Sequence, residues 1–268
     1  MNVAITGGAR GIGRATAEAA VRAGHRVAIA DLEGALAESA AREIGAQAAG
    51  FAVDVRNRDS FTAFLDGAED RFGPLDALVN NAGVAFLGAF AEEEPGRTRQ
   101  TVEVNLLGVL TGSRLALDRF LPRGRGHVVN LASSAGQIAP AHGATYAATK
   151  HGVVGFTRAL RAELRGTGVR TTIVMPGVIR TEMIGGFARA RATRTVEPSV
   201  VGEAIADALR TGRPEVFTPR ELGPVARLIA GLPPRASDAL KRLAGADDVM
   251  TNADRSARAD YERRAGGS

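Results

Sequence analysis

Short apolar runs alternate with amphipathic stretches from the second residue onward, and this alternation confines the chain to one class of fold. Runs of strand character read at residues 2–6, 26–30, 49–53, 77–80, 127–131, 170–175 and 215–218. Stretches with helical spacing lie between them, among them about 13–23, closed by Gly24, and about 199–210. Strands that are apolar along their whole length are buried on both faces, as in a parallel sheet covered by helices on each side. Right-handed crossovers then give a single doubly wound α/β sheet of about seven strands. No internal repeat and no linker rich in Pro, Gly or Ser divides the chain. Residues 1–245 read as one domain, and residues 246–268 as a mobile polar tail.

Composition removes several functions. The absence of cysteine excludes disulfides, thiolate metal sites and thiol nucleophiles. A net charge of +5, from 34 Lys+Arg against 29 Asp+Glu, is too small on 268 residues to mark a nucleic-acid binder. No window reaches the roughly 18 apolar residues of a membrane span. The first strand begins too early for a signal peptide, so a cytoplasmic location is expected. The histidines at 25, 127, 142 and 151 have no metal-ligand spacing, and no GxSxG elbow accompanies Ser133. Only two cations are lysines, Lys150 and Lys241, so each invites a specific question.

The turn after the first strand reads Thr6-Gly7-Gly8-Ala9-Arg10-Gly11-Ile12-Gly13. Glycines there permit a tight turn and let the backbone approach a pyrophosphate at the positive end of the following helix. Asp31, at the end of the second strand, completes the context of a dinucleotide fingerprint in a Rossmann-type domain. Its carboxylate suits the adenosine ribose hydroxyls and repels a 2′-phosphate, which favours NAD over NADP. Asp31 also suits the cap of the helix near Gly34, a compatible role. Arg10 is the counter-argument, because a guanidinium in the loop suits an additional phosphate.

With this loop the chain resembles the short-chain dehydrogenase/reductase family, from the N-terminus to about Thr181. Thr6-Gly7, Gly11, Ile12 and Gly13 match the family's cofactor loop, and Asp54-Val55 its adenine contact. Asn80-Asn81-Ala82-Gly83 matches the turn after the fourth strand, and Pro176-Gly177 with Ile179 and Thr181 the loop that holds the nicotinamide. Asn105, Ser133, Tyr146 and Lys150 match the catalytic tetrad. The resemblance implies hydride transfer between NAD and a carbonyl or secondary alcohol, with Asn105 in a water-linked relay to the lysine. It also implies a homodimer or homotetramer.

Elementary chemistry agrees with the tetrad. Tyr146 and Lys150 are four apart and share a helix face, unless they are an ordinary surface pair. A free tyrosine titrates near 10, and lowering it by about three units takes roughly 4 kcal/mol. One ammonium at about 4 Å supplies a similar amount at an effective dielectric near 20. Ser133 follows a strand at the carboxyl edge, where its hydroxyl can hold a substrate oxygen. Ser134 is its rival, and either serine also suits a turn cap; the family spacing selects Ser133. Asn105 interrupts a helical pattern over 102–110, a conflict that suggests a task, although a solvent-facing asparagine is the plainer reading.

After Thr181 the resemblance thins. Residues 183–197 are expected to form a substrate lid, with Arg189, Arg191 and Arg194 either solvated or facing an anionic group. Phe86, Leu87, Ile138, Ile184 and Phe187 suggest a largely apolar substrate. Residues 220–245 read as a helical extension, interrupted by Pro224, that covers the pocket or packs on a second subunit; a membrane-surface helix is the alternative. His142 reads as a loop residue near the surface. The rival to an enzyme is a cofactor-binding scaffold or sensor of the same fold.

Overall fold

Seven strands, β1 (Asn2–Thr6), β2 (Arg26–Asp31), β3 (Ala48–Ala52), β4 (Ala77–Asn80), β5 (Gly126–Leu131), β6 (Val169–Pro176) and β7 (Glu215–Thr218), form one parallel sheet in the order β3-β2-β1-β4-β5-β6-β7. This computed structural model describes residues 1–184, 195–243 and 261–265. From β1 the chain builds outward through β2 and β3, then restarts on the other side of β1 with β4. The reversal opens a crevice beyond the carboxyl ends of β1 and β4, where such sheets bind ligands. Among the described residues no helix is long and apolar enough to cross a membrane.

The strand period of two sorts side chains to the two faces. Val3 and Ile5 of β1 join a core with Val27, Ile29, Val201, Ile205 and Leu209. That face is covered by α1 (Gly11–Arg22), α2 (Gly34–Ile44) and α7 (Pro198–Thr211). Ala4 points the other way, into a core with Leu78, Phe61, Phe64, Leu65 and Phe120. There α3 (Arg58–Phe72), α5 (Gly108–Phe120) and α6 (Ala144–Glu163) form the cover, with α4 (Pro95–Val102) leading into α5. Burying each of these three phenylalanines contributes about 1.5–3 kcal/mol. Helices α1 and α7 pack closely at Gly202, where a Cβ would lie 2.5 Å from the Ala15 carbonyl oxygen.

Two boundaries differ from the sequence reading for clear reasons. Helix α1 starts at Gly11, within the glycine loop itself, where glycine carries no apolar signal to mark the first turn. Pro224 does not interrupt the C-terminal extension. It lies in the first turn of α8 (Leu222–Gly231), where its missing N–H breaks no helix bond. The interruption falls instead before α9 (Pro234–Leu243).

One core residue makes stability depend on pH. His127 is fully buried in β5, with Nε2 2.8 Å from the Thr172 hydroxyl. That hydroxyl donates to the Arg213 carbonyl at 2.6 Å, so His127 Nε2 carries the proton and donates. Burial, aided by nearby Arg170, lowers the imidazole to about 4. The unfolded chain takes up this proton near 6.5, so the contribution is complete above that value. It declines as pH falls toward 4, amounting to about 3 kcal/mol in all. Denaturant titrations at pH 7.5 and 4.5 should therefore show a pH loss smaller by that amount in His127→Gln; equal losses would contradict it.

Candidate active site

Residue positions around the crevice follow from where the strands end. Its cleft has a volume of about 1670 Å³ and runs from Asp31 past the glycine turn to Ser133 and Tyr146. Gly7 and Gly11 adopt left-handed backbone, with φ of +61° and +52°. A Cβ on Gly13 would lie 2.1 Å from the Gly7 carbonyl oxygen, so the turn closes only with glycine there. Gly8 packs its backbone on Ile29 in the same way. Gly8 and Gly13 thus shape the cradle from behind, whereas Gly7, Arg10, Gly11 and Ile12 line the cleft.

Thr6 and Asn81 lock this turn to the one after β4. The Thr6 hydroxyl accepts from the backbone N–H groups of Asn81 and Ala82, both at 3.1 Å. Asn81 Nδ2 returns bonds to the carbonyls of Thr6 and Gly7, at 2.8 and 2.9 Å. The Asn81 amide therefore braces the cradle, and the double acceptor role of Thr6 had no sequence signal beyond its place in the motif. Asn81, Ala82 and Gly83 all line the cleft.

At the far end, Asp31 accepts from the Ala9 N–H at 3.3 Å. Burial pushes its carboxyl up, while hydrogen bonds from Ala9 and Glu33 backbone and the Arg10 charge oppose that rise. The cap of α2 is Glu33, not Asp31. Arg10 is paired with Glu33 at 2.8 Å and lies 3.7 Å from Glu182. Asp54 and Val55 line the cleft, with Asp54 held in a two-point pair by Arg56 at 2.9 and 2.8 Å. That pair keeps the Asp54 carboxyl below its usual range.

The four tetrad positions converge. Tyr146 and Lys150 lie on the first turns of α6, and the Ser133 side chain stands beside the Tyr146 phenol on the cleft wall. Ser133 accepts from Ala135 N–H at 3.1 Å, as its turn-cap reading expects. Lys150 is 4% exposed and donates from Nζ to the Leu131 carbonyl at 2.9 Å. Gly83 separates it from Asn105: a Cβ there would lie 3.2 Å from Asn105 Oδ1 and 3.7 Å from Lys150 Nζ.

Asn105 is fully buried rather than solvent-facing. Its amide makes a two-way pair with Val84, accepting from N–H and donating to C=O, both at 2.8 Å. The helical conflict in the sequence corresponds to a π-helical turn over Glu103–Leu107, a distortion that recurs at functional sites.

One electrostatic expectation needs correction. Burial pushes the Tyr146 phenol up, and the neighbouring Ser133 hydroxyl opposes the rise. The Lys150 ammonium is itself lowered to about 8 by burial, 5.7 Å from the Tyr146 ring centre. Taken out of water together, both groups favour their neutral forms.

Comparison with known proteins decides the kinship. The short chain dehydrogenase family model matches residues 1–192. The chain belongs to the short-chain dehydrogenase family. D-threitol dehydrogenase of Mycolicibacterium smegmatis is 35% identical over 249 residues, covering 92% of this chain and 89% of that one. Inactive 2-(S)-hydroxypropyl-CoM dehydrogenase 2 of Xanthobacter autotrophicus is 43% identical over 169 residues, 63% of this chain and 74% of its own length. A short-chain dehydrogenase/reductase of Burkholderia phymatum, solved in complex with NAD, superposes with a TM-score of 0.78 at 26% identity. That match covers 90% of this chain and 95% of the other.

The remainder of the cleft wall differs from expectation. Ile138 lines the cleft, but Phe86 is buried beneath the Arg97 guanidinium, 5.2 Å from its ring centre. Neither Phe86 nor Leu87 is on the described cleft wall. Phe187, Arg189, Arg191 and Arg194, expected in the lid, lie outside the described residues, as does the side chain of Ile184. The base of that segment is fixed: Ile179 bridges Val196, and Pro176, Gly177, Ile179 and Thr181 line the cleft. Leu222 and Val225 of α8 also line it, so the extension covers the pocket. His142 is partly buried with φ of 63°, its carbonyl accepting from Gly88 N–H at 3.0 Å. Of the expected polar tail, 246–268, residues 261–265 are described. Residues 261–265 are helical and seated on the cleft, where Tyr261, Arg264 and Ala265 join its wall.

Proposed function

We propose that the chain is an NAD-dependent dehydrogenase or reductase acting between a secondary alcohol and its ketone. The observation that carries this reading is the meeting of Tyr146 and Ser133 in the same cleft as the glycine cradle, with Lys150 one helical turn beyond Tyr146. The residues present fit a dinucleotide: left-handed Gly7 and Gly11 expose backbone at the start of α1, and Gly13 lets the turn close behind them. Gly7, Gly11 and Ile12 would hold the pyrophosphate, Asp31 the adenosine ribose, and Asp54 and Val55 the adenine. Pro176, Gly177, Ile179 and Thr181 would flank the nicotinamide, which supplies or accepts the hydride when bound.

Within this arrangement Tyr146 exchanges a proton with the substrate oxygen while Ser133 holds that oxygen by hydrogen bonding. Lys150 offers the nicotinamide ribose a donor and keeps positive charge beside the phenol. Asn105 fixes Val84 and the turn on which Gly83 separates it from Lys150. Proton exchange with solvent then runs by way of Lys150. A cytoplasmic homo-oligomer accompanies this reading, by resemblance to the family.

The charge pattern supports NAD over NADP. Asp31 lines the cleft at the end of β2, where its carboxylate would repel a 2′-phosphate, and Arg10 is already engaged by Glu33. Asp31→Asn should move the ratio of NADPH to NADH affinity toward NADPH by about tenfold, roughly 1.4 kcal/mol, in nicotinamide fluorescence titrations. An unchanged ratio would remove Asp31 from this role. Oxidation of a panel of secondary alcohols, followed by NADH formation, tests the activity itself.

A cofactor-binding protein without turnover is the second reading, favoured by one relative that is named inactive. The gathered tetrad counts against it, because a scaffold needs no phenol, hydroxyl and ammonium side by side in the cofactor cleft. Cofactor binding with no turnover across the panel would favour that reading.

A further inference from the structure

Residues 261–265 return to the cleft from the far end of the chain and are held there at four points. The Tyr261 hydroxyl accepts from Ala85 N–H at 3.0 Å, next to the Val84 backbone that holds Asn105. Glu262 pairs with Arg97 at 2.7 Å, and its side chain is only 17% exposed. The side chain of Gln100 donates to the Ala265 carbonyl. Arg264 pairs with Glu182 at 2.8 Å, in the loop beyond β6, and that same carboxylate lies 3.7 Å from Arg10. Anchors on α4, on the turn after β4 and on the loop after β6 thus enclose one end of the cleft. The cleft wall also carries Val84, Ile138, Pro140, Leu222 and Val225, apolar side chains to which Tyr261 adds an aromatic ring.

We infer that residues 261–265 form the outer wall of the substrate chamber, clasped by Arg97–Glu262 and Arg264–Glu182, and that Tyr261 determines which alcohols are accepted. The inference rests on the dehydrogenase reading for its substrate class. The carbon substituent of a secondary alcohol packs against the Tyr261 ring, and removing the ring admits larger substituents. Exposed ion pairs weaken with salt, so the Arg264–Glu182 half of the clasp loosens first.

Tyrosine fluorescence tests the clasp without any substrate. The chain has two tyrosines and no tryptophan, so in Tyr146→Phe the remaining emission comes from Tyr261 alone. Acrylamide should quench it weakly. Adding Glu262→Gln and Arg264→Gln, changes confined to the segment itself, should raise the quenching constant severalfold at unchanged circular dichroism. Equal quenching with and without the clasp would overturn the inference while leaving the dehydrogenase reading untouched. In turn, failure of every alcohol with the unaltered protein would count against that reading and leave the quenching result to decide the wall. With turnover established, Tyr261→Ala should raise the kcat/KM ratio of a cyclohexyl-bearing to a methyl-bearing secondary alcohol by about tenfold or more, the scale of a few methylenes in an apolar pocket. NADH affinity should stay within about threefold. An unchanged ratio would remove Tyr261 from specificity.

Discussion

Tyr146→Phe is expected to lower kcat by about 10²–10⁴, the usual contribution of a positioned acid or base. Its NADH affinity should stay within about threefold of the unaltered protein. The substitution removes one oxygen and leaves the ring where it stands on α6, beside Ser133. Ser133→Ala would be a less clean experiment, because Ser133 also accepts from Ala135 N–H and shapes the turn over Ser134–Gly136. Burial holds the phenol above its ordinary value, so alcohol oxidation, which needs the deprotonated form, should climb with pH in the unaltered protein. Stopped turnover with intact binding would place proton exchange on Tyr146; retained turnover would remove it from that role.

Lys150→Met should abolish most activity and yet raise thermal stability. The folded protein binds the Lys150 proton less tightly than the unfolded chain does, with a value of about 8 against 10.5. Below pH 8 both states are protonated, and burying the ammonium costs about 3 kcal/mol. The cost shrinks as pH rises from 8 toward 10.5, where the unfolded chain also releases its proton. Methionine has no charge to bury, but it forfeits the hydrogen bond to the Leu131 carbonyl, worth about 1.5–3 kcal/mol for a charged donor. A net gain of about 1 kcal/mol at pH 7 corresponds to roughly 2–4 °C in Tm for a chain of this size. Calorimetry at pH 7 and pH 10 would show the gain at the lower value and its loss at the higher. A lower Tm at pH 7 would mean that the buried ammonium stabilises the fold instead of burdening it.

Much of this site was legible because its signals are local. A strand, a glycine turn and a helix follow one another within residues 2–22, and Tyr146 and Lys150 share a face through the helix period alone. Asn105 announced itself by conflict, and the conflict proved to be a π turn in which its amide meets Val84. Other features needed the fold. That the Asn81 amide bonds to the Thr6 and Gly7 carbonyls, bracing the cradle it lines, shows only in the fold. Lys150 reads as lowering Tyr146 until both are found withdrawn from water, with Nζ turned to Leu131. The C-terminal return was invisible because Tyr261 meets Ala85 across 176 residues, and no local pattern encodes such a contact. Its polar composition resembles a tail because its charges, Glu262 and Arg264, face partners on distant elements.

That this cleft is an NAD site is tested most directly by titrating one preparation with NADH and NADPH and following nicotinamide fluorescence. The absence of tryptophan leaves a clean background for that signal. NADH is expected to saturate the protein at lower concentration than NADPH, with Tyr146→Phe following the same NADH curve. Tighter NADPH binding would contradict the role assigned to Asp31, and binding of neither would contradict the site.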